Sequence, residues 1–170
     1  MNDTDRLGRG PAMRWVVGGR TVAKQAASTS QTGRFETEFL AADENLAALV
    51  DLSGQWIDLV HVQHPPKSIV LDMDRRVSST HGDQEGAAYT GHFACTCYHR
   101  LFVFNQFGDL ERCVLRPGNV HSAEGWRSAL KPIAIRYRDK LKRRFFRRDA
   151  AFALPDLYVF LCQSCSSPAA

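Results

Sequence analysis

Three aspartates stand out by position. Asp72 and Asp74 close an apolar run that is β-branched at its start, Ser68-Ile-Val-Leu-Asp-Met-Asp74, and Asp149 directly follows a second strand-like segment, Arg143-Arg-Phe-Phe-Arg147. Carboxylates at the carboxyl ends of two adjacent strands suit a hard divalent cation such as Mg²⁺, which takes oxygen ligands and keeps positions open for a substrate phosphate. Asp72 and Asp74 are two residues apart, so alternation along a strand puts both on one face, as joint ligands or as alternatives. An aspartate after a strand also caps turns and helices, and at this point both roles stand.

A second feature is electrostatic. Residues 136–148 hold eight Lys/Arg and one acid, a net +7 in thirteen residues, in a chain whose formal net charge is +4, so the remainder is −3. Arg136, Arg138, Lys140, Lys142, Arg143 and Arg144 are candidates to track a DNA phosphate backbone, with Tyr137, Phe145 and Phe146 available to stack on bases. The competing reading is a solvated helix face followed by a strand whose phenylalanines are core. Cys95, Cys97 and His99 fall on one strand face and are of zinc-ligand type, but they lack the usual Cys-x₂₋₄-Cys spacing and fourth ligand. Buried thiols in a strand are the simpler account. Cys162-x-x-Cys165 has redox spacing in a Ser-, Pro- and Ala-rich tail. His81, His92, His99 and His121 form no nucleophilic triad by spacing.

These groups need a scaffold, and 170 residues with 44% apolar and 24% charged composition suffice for one globular domain rather than two. Five cysteines are an odd number, no run of about 18 apolar residues occurs, and the first twenty residues lack an apolar leader core. The expectation is a cytoplasmic protein with reduced thiols and no membrane partner. Residues 1–42 read as an arm with little regular structure beyond a short helix near 21–28. An amphipathic helix follows from Asp43 to about His61, with Leu46, Leu49, Val50, Trp56, Ile57 and Val60 at helical spacing and a weak point at Gly54. Then come the strand ending at Asp74, a loop over 77–91 with room for a short edge strand, and a hairpin over 92–115 turning at Phe107-Gly108-Asp109. A helix capped by Ser122 carries Trp126, Leu130, Ile133 and Tyr137 on one face, with Pro132 expected to kink or split it. The strand at 143–147 and a helix opening at Leu154-Pro155 complete the order strand, hairpin, helix, strand, helix. That order predicts an α/β fold in which the strand after the helical crossover lies parallel to the first, bringing their terminal acids together.

The stretches IVLDMD (69–74), HGDQEGAAYTGH (81–92), CTCYHRLFVFNQFGDLERCVLRPGNVHSAEGW (95–126) and FFRRDAAFALPDLYVFL (145–161) closely resemble the DDE transposases of bacterial insertion sequences, the subgroup with an Asp-Met-Asp-Ser-Ser-type first motif. GRFETEFL (33–40) and NLAALVDLSGQWID (45–58) extend the resemblance, which runs from about Asp5 to Leu161. It implies a ribonuclease-H-like mixed sheet, DNA as partner, Mg²⁺ or Mn²⁺ as cofactor, and two-metal phosphoryl transfer that cuts and joins DNA. By matching position, the family's first acid falls on Asp74, with Asp72 as second choice, and its second falls on Asp149.

The resemblance also implies a third acid, a glutamate on a later helix, which has no counterpart before residue 170. The expectation is therefore a carboxyl-terminally incomplete core over 43–161 followed by an unstructured, frameshifted or prematurely stopped tail over 162–170. Arg75, Arg76 and Arg148 stand where small residues are usual and add positive charge beside a cation site. Such a fragment is expected to be inactive alone, and the alternative function is a catalytically inert remnant that binds DNA through its basic stretch.

Overall fold

The structure is a computed structural model that describes residues 3–26 and 28–165. The chain divides into two compact units, Met1–Leu49 and Val50–Ala170. In the first, short helices α1 (Asp3–Arg9), α2 (Pro11–Val17) and α3 (Thr29–Arg34) precede a π-helical turn at Phe35–Leu40 and the start of α4 (Asp43–Gln63). The helix expected near 21–28 is not there: Gly19–Val22 forms a 3₁₀ turn, and Ser28 begins α3 instead of ending a helix. Its hydroxyl accepts from the Gln31 amide (3.2 Å) while the Gln31 side chain accepts from the Ser28 amide (2.9 Å), a reciprocal cap that satisfies two otherwise open donors.

The second unit is built on a mixed sheet. β1 (Ile69–Ser79), β2 (Ala88–Thr90), β3 (Cys95–Asn105), β4 (Leu110–Val114) and β5 (Arg144–Arg148) are ordered β2-β3-β1-β5, with β4 also on β3. β3 runs antiparallel to β1, β2 and β4. β5, reached through α5 (Trp126–Arg138), is parallel to β1, from Ile69↔Arg144 to Met73↔Arg148. The crossover thus gives the parallel pairing expected of it. β1 continues five residues beyond Asp74, so that residue lies within the strand and not at its end.

One face of the sheet carries the core. Ile69, Leu71 and Met73 of β1 and Leu101 and Val103 of β3 are buried with Trp126, Ala129, Leu130, Ile133 and Tyr137 of α5, with Phe152, and with Leu157 of α6 (Pro155–Cys165). Each such aliphatic side chain removed from water contributes about 1.5–3 kcal/mol. α5 stays one helix despite Pro132, because the proline forfeits a single backbone bond while five buried side chains hold the helix to the sheet. Its N-cap is Gly125, not Ser122. α6 continues through Cys162 to Cys165, so the first four residues of the expected unstructured tail are helical, and residues 166–170 lie outside the described residues.

α4 departs from its apolar pattern. Within the second unit its buried residues are Gly54 and Ile57, while Leu52, Trp56, Leu59 and Val60 are exposed. The inward side is chosen by charge: Asp51 pairs with Arg112 (2.5 Å), Asp58 with Lys140 (2.8 Å), and the Arg136 guanidinium occupies the space a Cβ at Gly54 would need.

Candidate metal and DNA site

Alternation along β1 puts Asp72 and Asp74 on the face opposite Leu71 and Met73, away from the helices of the core. Asp72 is register partner of Arg147, and Met73 of Arg148. Asp74 and Asp149 are the residues that follow the last paired positions of that register, Met73 and Arg148.

The three acids have different neighbours. Asp72 Oδ2 accepts from both Nε (3.1 Å) and Nη2 (2.6 Å) of Arg147. Asp74 is exposed, and among the described residues its hydrogen-bond donor is the Arg75 amide, at 2.8 Å. Asp149 Oδ1 accepts from the Ala151 amide at 2.7 Å, capping the 3₁₀ turn Ala150–Phe152, and its Oδ2 lies 4.0 Å from Arg75 Nε. The capping role therefore uses one oxygen and leaves the other oxygen of the carboxylate without a short partner. Arg148, the third cation expected to crowd the site, instead places its guanidinium over the Tyr158 ring, 4.4 Å from the centroid. Among the described residues no group of three or more His, Cys, Asp or Glu is arranged to hold a metal ion. The donor set at Asp74 and Asp149 suits one hard cation held by two carboxylates, with water and substrate phosphate filling the other positions.

The six basic candidates separate into two classes. Arg136 ion-pairs with the buried Glu111 and lies 4.0 Å from Asp58, and Lys140 is 2.8 Å from Asp58. Arg144 donates to the carbonyl oxygens of Tyr137 (3.2 Å), Arg138 (2.5 Å), Leu141 (3.1 Å) and Ser164 (2.6 Å), tying the end of α5 to α6. Arg136 and Arg144, both partly buried, work inside the fold, whereas Lys140 is paired but its side chain is 52% exposed. Arg138, Lys142 and Arg143 are exposed.

Glu111 was not singled out by its sequence context. Its carboxylate also accepts from the Tyr137 hydroxyl (2.7 Å) and Asn105 Nδ2 (3.0 Å). Burial, chiefly, pushes the Tyr137 hydroxyl up to about 12. No sequence alternation marks Glu111: it is the fully buried position of β4, but it sits where the β3–β4 register shifts, between Arg112 paired with Val103 and Leu110 paired with Phe104. Cys95 and Cys97 share the core-facing side of β3 with His99, and burial raises the Cys97 thiol. No helix among the described residues is long and apolar enough to cross a membrane.

No curated protein and no solved structure matches the chain. A family match does cover it: the sequence model described as Transposase DDE domain group 1 matches residues 1–167, reaching past both ends of the resemblance read from the residues. With nearly the whole length matched, the chain belongs to the DDE transposase family, proteins of DNA transposition.

Proposed function

We propose that residues 43–161 belong to a ribonuclease-H-like catalytic core of an insertion-sequence transposase, with residues 1–42 as an N-terminal arm, and that its chemistry is phosphoryl transfer on DNA. The supporting observation is the parallel register of β1 and β5, whose last paired positions, Met73 and Arg148, immediately precede Asp74 and Asp149. The sheet order β4-β3-β1-β5, two antiparallel steps and one parallel, agrees with that core.

Asp74 is the better first acid, because Asp72 is held by Arg147. A divalent ion, Mg²⁺ or Mn²⁺, would be held by Asp74 and Asp149, and when bound it would supply charge stabilisation at the attacked phosphate and activate water or a 3′-hydroxyl. The residues themselves orient that group. The Ala151 amide fixes the Asp149 carboxylate through Oδ1, and the Arg75 amide fixes Asp74, so each acid presents its other oxygen to the open face of the sheet. Arg138, Lys142 and Arg143 would carry DNA phosphates, while Arg136 and Arg144 hold the scaffold and the exposed Lys140 pairs with Asp58 at the edge of that surface.

A second reading, an inert remnant that binds DNA without cutting it, is favoured by Arg147 on Asp72 and Arg75 beside Asp149, two cations where a metal ion would need low positive potential. One experiment separates the two: Mn²⁺-dependent nicking of a labelled duplex by the full chain, with Asp149→Asn as control. Asp149-dependent nicking supports an active core. Salt-sensitive DNA binding with no nicking supports the remnant, and neither binding nor nicking overturns both.

A further inference from the structure

The loop after β4 folds back over β3. Gly118 makes this possible, because a Cβ there would strike Cys97 and the Ala88 carbonyl oxygen. Arg116 then locks the loop: it is buried, and its guanidinium donates to the carbonyl oxygens of His99 (2.8 Å) and Ser122 (3.0 Å). Between this loop and β1 lies an open cavity of about 340 Å³, walled in part by Arg75, His99, Asn119, His121 and Ser122.

The chemistry of the wall is one-sided. Among the described residues no carboxylate lines it, although Arg75 does and the Arg116 guanidinium lies close behind His99. Among the described residues the buried Arg116 Nη2 has no hydrogen-bond partner, whereas His99, whose Nδ1 donates to the Val120 carbonyl oxygen (3.4 Å), keeps Nε2 as an acceptor in the neutral ring and adds no donor. Burial, first, and then Arg116 hold the His99 imidazole below its ordinary value, and burial, with Arg75 contributing, does the same to Arg116. His121 Nδ1 accepts from the Ala123 amide (3.3 Å), so in the neutral ring the proton sits on Nε2 as a donor. Asn119 and Ser122 add an amide and a hydroxyl. A cation is opposed by Arg75, and the histidines here form no metal-holding group among the described residues. A tetrahedral oxyanion would relieve the repulsion between the guanidinium groups and take up these donors in charge-assisted hydrogen bonds.

Arg75 links this cavity to the acids, since its Nε is 4.0 Å from Asp149 Oδ2. We infer that the cavity is a phosphate-binding subsite for a phosphodiester of the DNA strand passing Asp149, with Arg75 as its cation and Asn119, His121 and Ser122 as neutral donors. The inference rests on the reading of Asp74 and Asp149 as the reacting centre. It gives Arg75 a purpose that a cation beside a metal site otherwise lacks: phosphate bound in the cavity would draw the guanidinium off Asp149.

The test uses the full chain with two probes, inorganic phosphate and a short single-stranded oligonucleotide, followed by the histidine ring signals in NMR. Both probes should shift His121 in the parent chain and leave it unmoved in Asn119→Asp, which places a negative charge in the wall. Asn119 and His121 are exposed, so an unchanged melting temperature should accompany both Asn119→Asp and His121→Gln. In a salt titration with duplex DNA, Asn119→Asp should bind roughly tenfold more weakly, and Arg75→Ala should lower the salt slope by about one. An unshifted His121 with either probe overturns the subsite, and a response to inorganic phosphate alone overturns its role with DNA. Parent-like DNA binding by Asn119→Asp, alongside loss of binding in Arg138→Ala and Lys142→Ala, overturns the subsite and leaves the basic surface standing. A His121 response to both probes without Mn²⁺ binding at Asp74 and Asp149 would support the subsite and overturn the reading of the acids.

Discussion

The carboxylate of Glu111 is fully buried and meets the guanidinium of Arg136 beneath the missing side chain of Gly54. Removing one partner of such a pair leaves a charge in a place built for two, which costs about 3–5 kcal/mol. Glu111→Ala should therefore be among the most destabilising single changes in the second unit, read as a drop in the urea midpoint. Gly54→Ala should cost about 1–3 kcal/mol by pushing the guanidinium aside. A Glu111→Ala chain as stable as the parent would mean that the network does not organise α4.

The same network gives a pH signature. Tyr137 keeps its proton up to about 12 in the fold, against about 10 in the unfolded chain. Between those values the folded state holds a proton that the unfolded state has lost, so stability present below about pH 10 falls as pH rises toward 12. Tyrosinate absorbance should show one group titrating late, and Tyr137→Phe should remove that late step. A full tyrosine titration near pH 10 in the native protein would contradict the burial.

Much of the fold was readable because it is periodic. The strand carrying Asp72-Met-Asp74 was marked by its apolar, β-branched run, although it continues to Ser79, and the hairpin turning at Phe107-Gly108-Asp109 and the stripe Trp126, Leu130, Ile133 and Tyr137 follow from turn chemistry and helical spacing. α4 resisted because its inward face is set by Gly54, Asp58 and partners on other elements, which an apolar pattern cannot reveal. The basic stretch resisted for a related reason: nothing local distinguishes Arg138, facing solvent, from Arg136, two residues earlier and turned onto Glu111. The pairing of Asp72 with Arg147 was hidden for the same reason, since Arg147 is 75 positions away in sequence and adjacent only across a parallel ladder.

That division of the basic residues makes a sharp expectation for DNA binding. Arg138→Ala, Lys142→Ala and Arg143→Ala should each change stability by less than about 0.5 kcal/mol, as surface substitutions do. Each should lower the slope of log affinity against log salt by about one. Arg144→Ala should instead lower the melting temperature, since it removes charged hydrogen bonds to four carbonyl oxygens. Equal loss of affinity in all four, with unchanged stability in Arg144→Ala, would return Arg144 to the DNA surface.

The acids can be separated by substitutions that keep shape and remove charge. Asp149→Asn retains an oxygen to accept from the Ala151 amide, so the cap survives and stability should change little, whereas Asp149→Ala should lose about 1 kcal/mol. Asp72→Asn breaks a solvent-exposed pair with Arg147, whose side chain is 72% exposed, and should cost under about 1 kcal/mol. Mn²⁺ binding, followed by the relaxation of water protons with an oligonucleotide present to supply phosphate oxygens, should then fall sharply in Asp74→Asn and Asp149→Asn and persist in Asp72→Asn. The physical reason is that Asp72 is already paired with a guanidinium, while among the described residues Asp74 accepts from a backbone amide alone. Loss of Mn²⁺ binding in Asp72→Asn with retention in Asp74→Asn would transfer the first-acid role to Asp72 and require Arg147 to swing away when the ion binds.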